Sequence, residues 1–395
     1  MQANIAREDL LCLLLARGHL SAEARRRVTE LLASPLRWPL VLERVYAHQI
    51  LPLLYRNLGA FGFSGVPDSV REELTSAFRV NALRNTLLAD ELVRVLRLFE
   101  GAGVLAMPLK GTHLAESLYG DSALRVCADI DILVPPKCLA QAFFLLRSSG
   151  YQADFTPPRL VDLLARYGKD CGVLIRQEHA CAYPLQLHCG LVWGGPVERD
   201  LLEEVWSGAD RENFHGVPTS TLSADWEFLY LAVHAARHGL WPLKWLVDLD
   251  ELCSRGTVDW ESVKHKARRF GWEAAVHSSL SACAALLDTP IQPLFSAAKP
   301  GLSLRLNAFR PSPLQVPRET LFAVRLLKPN SRRLHFLAIR LFVPTPADCR
   351  FLPLPSRLFF LYYALRPLRL SLMVTWRLVQ AGLKSLRPAK LKSSE

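Results

Sequence analysis

Asp129 and Asp131 stand one residue apart in the run Asp-Ile-Asp-Ile-Leu-Val at 129–134. The start of this run has the two-residue period of a strand, so both carboxylates leave one face while Ile130 and Ile132 leave the other. Two acids side by side repel unless a divalent cation is held between them, and hard carboxylate oxygens suit Mg²⁺. Upstream, the apolar run 104–109 ends at Lys110-Gly111-Thr112. Glycine permits a sharp turn there and a close backbone approach. The helix predicted next begins with free amides and the positive end of its dipole, which together attract anions. Thr112 is suited to cap that helix or to touch a phosphate, and Lys110 adds positive charge. Acidic pairs are common on solvated turns, so Asp-x-Asp alone carries little; its place after strand, turn and helix gives it weight.

In that order, the residues resemble the nucleotidyltransferase superfamily, with its DNA polymerase β-like core. More narrowly, the chain is similar to a large, mostly uncharacterised bacterial family of nucleotidyltransferases. The matching residues are Leu109-Lys110-Gly111, Tyr119-Gly120-Asp121, Arg125 and Asp129-Ile130-Asp131. The resemblance implies a Mg²⁺-dependent enzyme that moves a nucleoside monophosphate from an NTP to an acceptor, with pyrophosphate leaving; a cytoplasmic location is expected separately, from nine scattered cysteines that fit reduced thiols. Asp129 and Asp131 would hold the metal, Lys110, Gly111 and Thr112 would cradle phosphates, and Arg125 would neutralise developing charge. The acceptor stays open among a small molecule, a peptide or protein, and RNA.

One departure concerns the third carboxylate, which the family places two residues before a histidine on a later strand. Here the strand predicted over 183–188 has His188 in place, but the acid is replaced by Gln186. An amide coordinates weakly and cannot serve as a general base near neutral pH. A different base such as His188 or Glu178, slow transfer, or nucleotide binding without catalysis are the three outcomes. A strand histidine is more often structural than catalytic. A second family signature is matched at 226–252, where His234, His238, Lys244 and Asp248 would border the cleft. His234 and His238 lie on one helix face, but Ala235 replaces the glutamate a metalloprotease would need. Lys244 and Asp248, also four apart, are expected to pair. A helix hairpin around Gly239 held by these residues explains them equally well.

The elements that must position these groups give an α+β architecture, a small mixed-sheet core flanked by N-terminal and C-terminal helical regions. Residues 1–100 read as helices: 10–16, 22–32, 38–58 broken by prolines, and a long helix from 67–69 to about 100, with Leu83, Leu87, Leu88, Leu92, Val95 and Leu98 as its buried stripe. Arg79 and Arg84 on that helix are expected to be ordinary surface residues. The core takes 101–195, with strands near 173–176 and 183–188. Residues 196–300 read as helical, and 301–395 as a basic helical or extended region turning at its prolines.

Half of the 395 residues are hydrophobic, enough for a large core. Nine scattered cysteines without a CxxC pair argue against a disulfide scaffold or a zinc ribbon. No signal peptide is evident. Residues 301–395 hold 17 Lys and Arg against 3 Asp and Glu, net +14, whereas the first 300 residues hold 31 against 34. Such a tail suits nucleic acid, anionic lipid or an acidic partner, yet a solvated helix face is the commoner explanation. The apolar run 358–365 is too short before Arg366 to span a bilayer, and packing on its own domain is favoured over peripheral membrane contact. Two rivals to an enzyme remain: a non-catalytic nucleotide-binding module, and an interaction protein working through its basic tail.

Overall fold

The computed structural model describes residues 6–153, 156–191, 199–290 and 330–385. Four helices open the chain: α1 (Arg7–Leu15), α2 (Ala22–Leu32), α3 (Trp38–His48) and α4 (Leu51–Ala60). The prolines at 39 and 52 sit in first turns, where their missing N–H costs nothing, so the single apolar stretch 38–58 becomes two helices separated by a left-handed Gln49. The long helix α5 (Asp68–Gly101) follows. Its buried stripe includes Leu88, Leu92 and Val95, but Leu83 is 64% exposed; the buried positions there shift to Asn85.

The core sheet comprises β1 (Met107–Pro108), β2 (Ile130–Leu133), β3 (Val173–Glu178) and β4 (Cys181–His188), in the order β1-β2-β4-β3. β1 is antiparallel to β2, β2 parallel to β4, and β3 antiparallel to β4. The expected strand over 104–109 shrinks to two residues, with Leu109 N–H still donating to the Asp131 carbonyl at 3.0 Å. Between β1 and β2 lies α6 (Gly111–Tyr119), and α7 (Leu139–Ser148) and α8 (Pro158–Arg166) precede β3.

After α9 (Arg199–Ser207) the chain departs from the helical expectation. β5 (Asp210–Phe214) and β6 (Val217–Thr221) form an antiparallel hairpin, turning through His215-Gly216, both at positive φ. The alternation Val217, Thr219, Thr221 is a strand signal that short length and polar residues conceal. Then come α10 (Ala224–Arg237), α11 (Lys244–Ser254), α12 (Trp260–Phe270) and α13 (Glu273–Leu287). Gly239 at φ +70 and a cis Trp241-Pro242 bond make the reversal between α10 and α11, as the hairpin reading required.

Two apolar clusters hold the molecule. The first joins α1–α4 to α10–α13, segments far apart in sequence, through residues such as Leu15, Leu54, Trp226 and Leu246. The second lies on one side of the sheet, where Ile130, Ile132, Leu185 and Leu187 meet Leu92 and Phe99 of α5 and Phe143 of α7. Burying each such side chain contributes about 1.5–3 kcal/mol. The first core also takes in Met107, Leu109 and Leu133 beside the sheet, so both cores hold it in place.

The described C-terminal elements are α14 (Asn330–Phe342), α15 (Pro346–Phe351), a 3₁₀ stretch Ser356–Leu361 and α16 (Tyr362–Ser385). Turns expected at Pro311, Pro313 and Pro317 lie outside the described residues. Cys349 and Tyr362 join the second core, and Lys169 donates to the carbonyls of Ile339 and Val343 at 3.4 and 3.1 Å. Beyond that anchorage α16 does not follow the packing expectation: Leu368, Leu372 and Trp376 are each over 60% exposed.

Candidate active site

Register builds the site. Asp131 on β2 lies opposite Gln186 on β4, and Leu133 opposite His188, so Asp129, Asp131, Gln186 and His188 share the sheet face away from the second core. His188 Nε2 is 2.7 Å from Asp131 Oδ1, and Lys110 Nζ is 3.1 Å from Asp131 Oδ2. The Gln186 amide donates to Asp129 Oδ2 at 3.2 Å. The two acids differ electrostatically. Burial and the neighbouring Asp131 charge raise the Asp129 pKa. Burial would raise Asp131 too, but Lys110 and His188 outweigh it and hold that carboxyl well below the usual range.

Gly111 sits at φ +73, and a Cβ there would come 3.3 Å from the Asp129 carbonyl. That residue must therefore be small and left-handed, as the sequence implied. Lys110, not Thr112, occupies the cap position of α6, and no side chain caps it. Thr112 is buried inside the helix's first turn and does not line the cleft.

Arg125 is held from two sides. Its guanidinium makes a buried, bidentate pair with Asp248 at 2.9 to 3.1 Å, and Tyr119 donates to the same carboxylate at 2.9 Å. Its loop is fixed by α5. Asn85 Nδ2 donates to the carbonyls of Ser122 and Arg125, Asn81 Nδ2 to that of Ala123, and Arg84 to those of Cys127 and Ala128. Asn81, Arg84 and Asn85 are three and four apart, the spacing that shares one helix face. Polar residues at this spacing were the signal for their role, and Arg84 is a loop clamp instead of the idle surface residue expected. Lys244 does not pair with Asp248; it donates to the Val126 carbonyl at 2.9 Å. Asp248 is already saturated by Arg125 and Tyr119. Burial and the Arg125 charge lower the Lys244 pKa to about 8.

These groups open on a cavity of about 310 Å³. Lys110, Gly111, Arg125, Asp129, Asp131, Gln186, His188, His234, His238 and Lys244 all line it; Thr112 and Asp248 do not. The His pair stands beside Trp245, with ring centroids 4.6 and 5.1 Å from it. His234 Nε2 is buried and finds no hydrogen-bond partner among the described residues. Burial and Lys110 push its pKa well down, so the ring is neutral and able to donate or accept a hydrogen bond. Tyr230, Arg237 and Asp170 also line the cavity without having been singled out in the sequence. Tyr230 was legible only as part of the α10 apolar pattern, and Asp170 sits in a loop with no motif. Glu178 is excluded from this cavity: it lies at the far end of β3 and pairs with Arg176 at 2.7 Å.

Among the described residues no group of three or more His, Cys, Asp and Glu side chains forms a ready metal cage. The donor chemistry nevertheless fits one hard cation. Asp129 is a half-buried carboxylate whose ionisation is opposed by its neighbour, and a carboxylate such as Asp131 keeps lone pairs after accepting from Lys110 and His188.

Residues 34–288 match the family described as uncharacterised nucleotidyltransferase, a span that contains every residue lining the cavity. Among solved structures the chain is similar to an antigenic nucleotidyltransferase-like protein from Paracoccidioides brasiliensis, at 14% identity over 52% of this chain and 96% of that one. The TM-score of 0.31 is too low for that likeness to carry an argument. No curated protein sequence matches the chain. Because the family match covers well over half of its length, the chain belongs to the uncharacterised nucleotidyltransferase family.

Proposed function

We propose that the protein transfers a nucleoside monophosphate from an NTP to an acceptor, releasing pyrophosphate. The observation that carries this reading is the pairing, in one cavity, of two adjacent carboxylates with Lys110, Arg125 and Lys244. Cations alone would bind any anion, and acids alone any metal; together they suit a metal-bound polyphosphate. Mg²⁺ held by Asp129 and Asp131 would supply charge neutralisation at the phosphates when bound. Lys110 and Arg125 are each fixed by a carboxylate, so they are pre-aimed and lose little freedom on binding nucleotide.

His188 is the favoured base. In the tautomer with Nε2 donating to Asp131, its acceptor is Nδ1. Gln186 supports a second reading, a nucleotide-binding module that turns over slowly or not at all, because its amide occupies the third-acid position and bonds Asp129. Transfer of label from the α-phosphate of an NTP into acceptors of a cell extract tests the first reading. Wild type is expected to label product, Asp129→Asn with Asp131→Asn to label none, and Gln186→Asp to label more. Mg²⁺-dependent NTP binding without label transfer would favour the second.

A further inference from the structure

We propose that α15 and α16 dock the protein onto an anionic membrane surface. The proposal is independent of nucleotidyl transfer, because no cavity residue takes part. Leu368, Leu372, Trp376 and Val379 recur at three- and four-residue steps and so share one face of α16; they are 62, 63, 63 and 49% exposed. Phe351 on α15 extends the patch at 59% exposure. Between the two helices runs a groove of about 360 Å³, where Phe351, Leu372, Met373 and Trp376 are rimmed by Arg350 and Arg369. Contiguous exposed apolar area of this kind marks an interaction site.

Charge identifies the occupant. The region 301–395 carries net +14, and Lys384, Arg387, Lys390 and Lys392 follow the described part of the stripe in sequence. A second copy would bring the same charge and repel, whereas anionic headgroups attract it while the acyl boundary accepts Leu and Trp. Ser356–Trp376 is also long and apolar enough to cross a bilayer by length and composition, with mean hydropathy 1.2 and 11% of it buried. Crossing is opposed by two arginines of the same helix. Arg366 donates to Asp348 at 2.7 Å and to the Arg340 carbonyl at 2.9 Å, and Arg369 also pairs with Asp348. A spanning helix would strip these bonds and carry two arginines into hydrocarbon. Lying flat keeps them, with the Leu and Trp face turned to lipid.

The test is co-sedimentation of the full chain with vesicles of phosphatidylcholine alone or with phosphatidylglycerol added, at low and high salt. Binding at least tenfold stronger to the anionic vesicles, weakened by salt, and reduced at least tenfold by the combined L368Q, L372Q and W376Q substitutions is expected. These side chains are exposed, so the fold should survive; unchanged circular dichroism checks this, and single substitutions replace the triple variant if it does not. Absence of vesicle binding, or binding indifferent to the substitutions, overturns the proposal. So does a concentration-dependent dimer that the same substitutions dissolve without any vesicle binding, which would assign the face to a second copy.

Discussion

Removing the charge of Asp248 is expected to destabilise the protein more than removing the whole Arg125–Asp248 pair. Both side chains are buried, at 5% and 0% exposure, and share three hydrogen bonds between 2.9 and 3.1 Å. Asp248→Asn keeps an acceptor for Tyr119 but leaves a buried guanidinium uncompensated, a change that costs about 3–5 kcal/mol. Arg125→Met added to Asp248→Asn removes the stranded charge, so the double variant should recover part of the loss and cost about 2 kcal/mol or less. With a urea slope of about 3 kcal/mol/M, the single variant moves the unfolding midpoint down by about 1 to 1.7 M, read by circular dichroism. The same pair separates architecture from chemistry. If Arg125 also meets the nucleotide, the double variant regains stability but not Mg²⁺-NTP binding. A loss below about 1 kcal/mol for Asp248→Asn, or a double variant as costly as the two singles added, would refute the reasoning.

Three further outcomes follow from other contacts. Gly111→Ala places a Cβ 3.3 Å from the Asp129 carbonyl at a left-handed φ, and should cost about 1–2 kcal/mol in urea unfolding while weakening Mg²⁺-NTP binding. Asp225 is pulled from its ordinary 3.8 to about 2; burial would raise it, but hydrogen bonds from Lys266, Ser223 and Ser262 prevail. Because its folded pKa is depressed, its contribution of about 2 kcal/mol is present above pH 4 and lost as pH falls toward 2, a slope that Asp225→Asn should flatten in acid titrations. Lys169 is lowered from 10.5 to about 7 by burial and the Arg366 charge. The unfolded chain then binds the extra proton between pH 7 and 10.5, so stability rises with pH across that window; Lys169→Met should abolish the rise, measured as thermal midpoint against pH.

What could be read in the sequence tracks how local each determinant is. The long helix α5, the turn at Gly111 and the acids just before and within β2 follow from periodicity and backbone demands within a few residues, and Asp131 stands on the strand with Asp129 just before it. Partner choice was not local. Lys244 and Asp248 are four apart, yet Asp248 faces a buried Arg125 supplied from 123 residues away, and the stronger bidentate pair displaces the helical one. The β5–β6 hairpin was hidden for another reason: its strands are short and mostly polar, so no apolar period announced them. Asp170 and the orphaned His234 Nε2 emerge only once the loop before β3 and helix α10 are folded against one cavity.

Pyrophosphate release from each of the four NTPs with Mg²⁺, in the presence of a cell extract and beside the Asp129→Asn, Asp131→Asn variant, tests the central claim most directly. The account predicts release from the wild-type chain that the variant lacks, with Gln186→Asp raising the rate. Release equal in wild type and variant, or no release from any NTP, would contradict it.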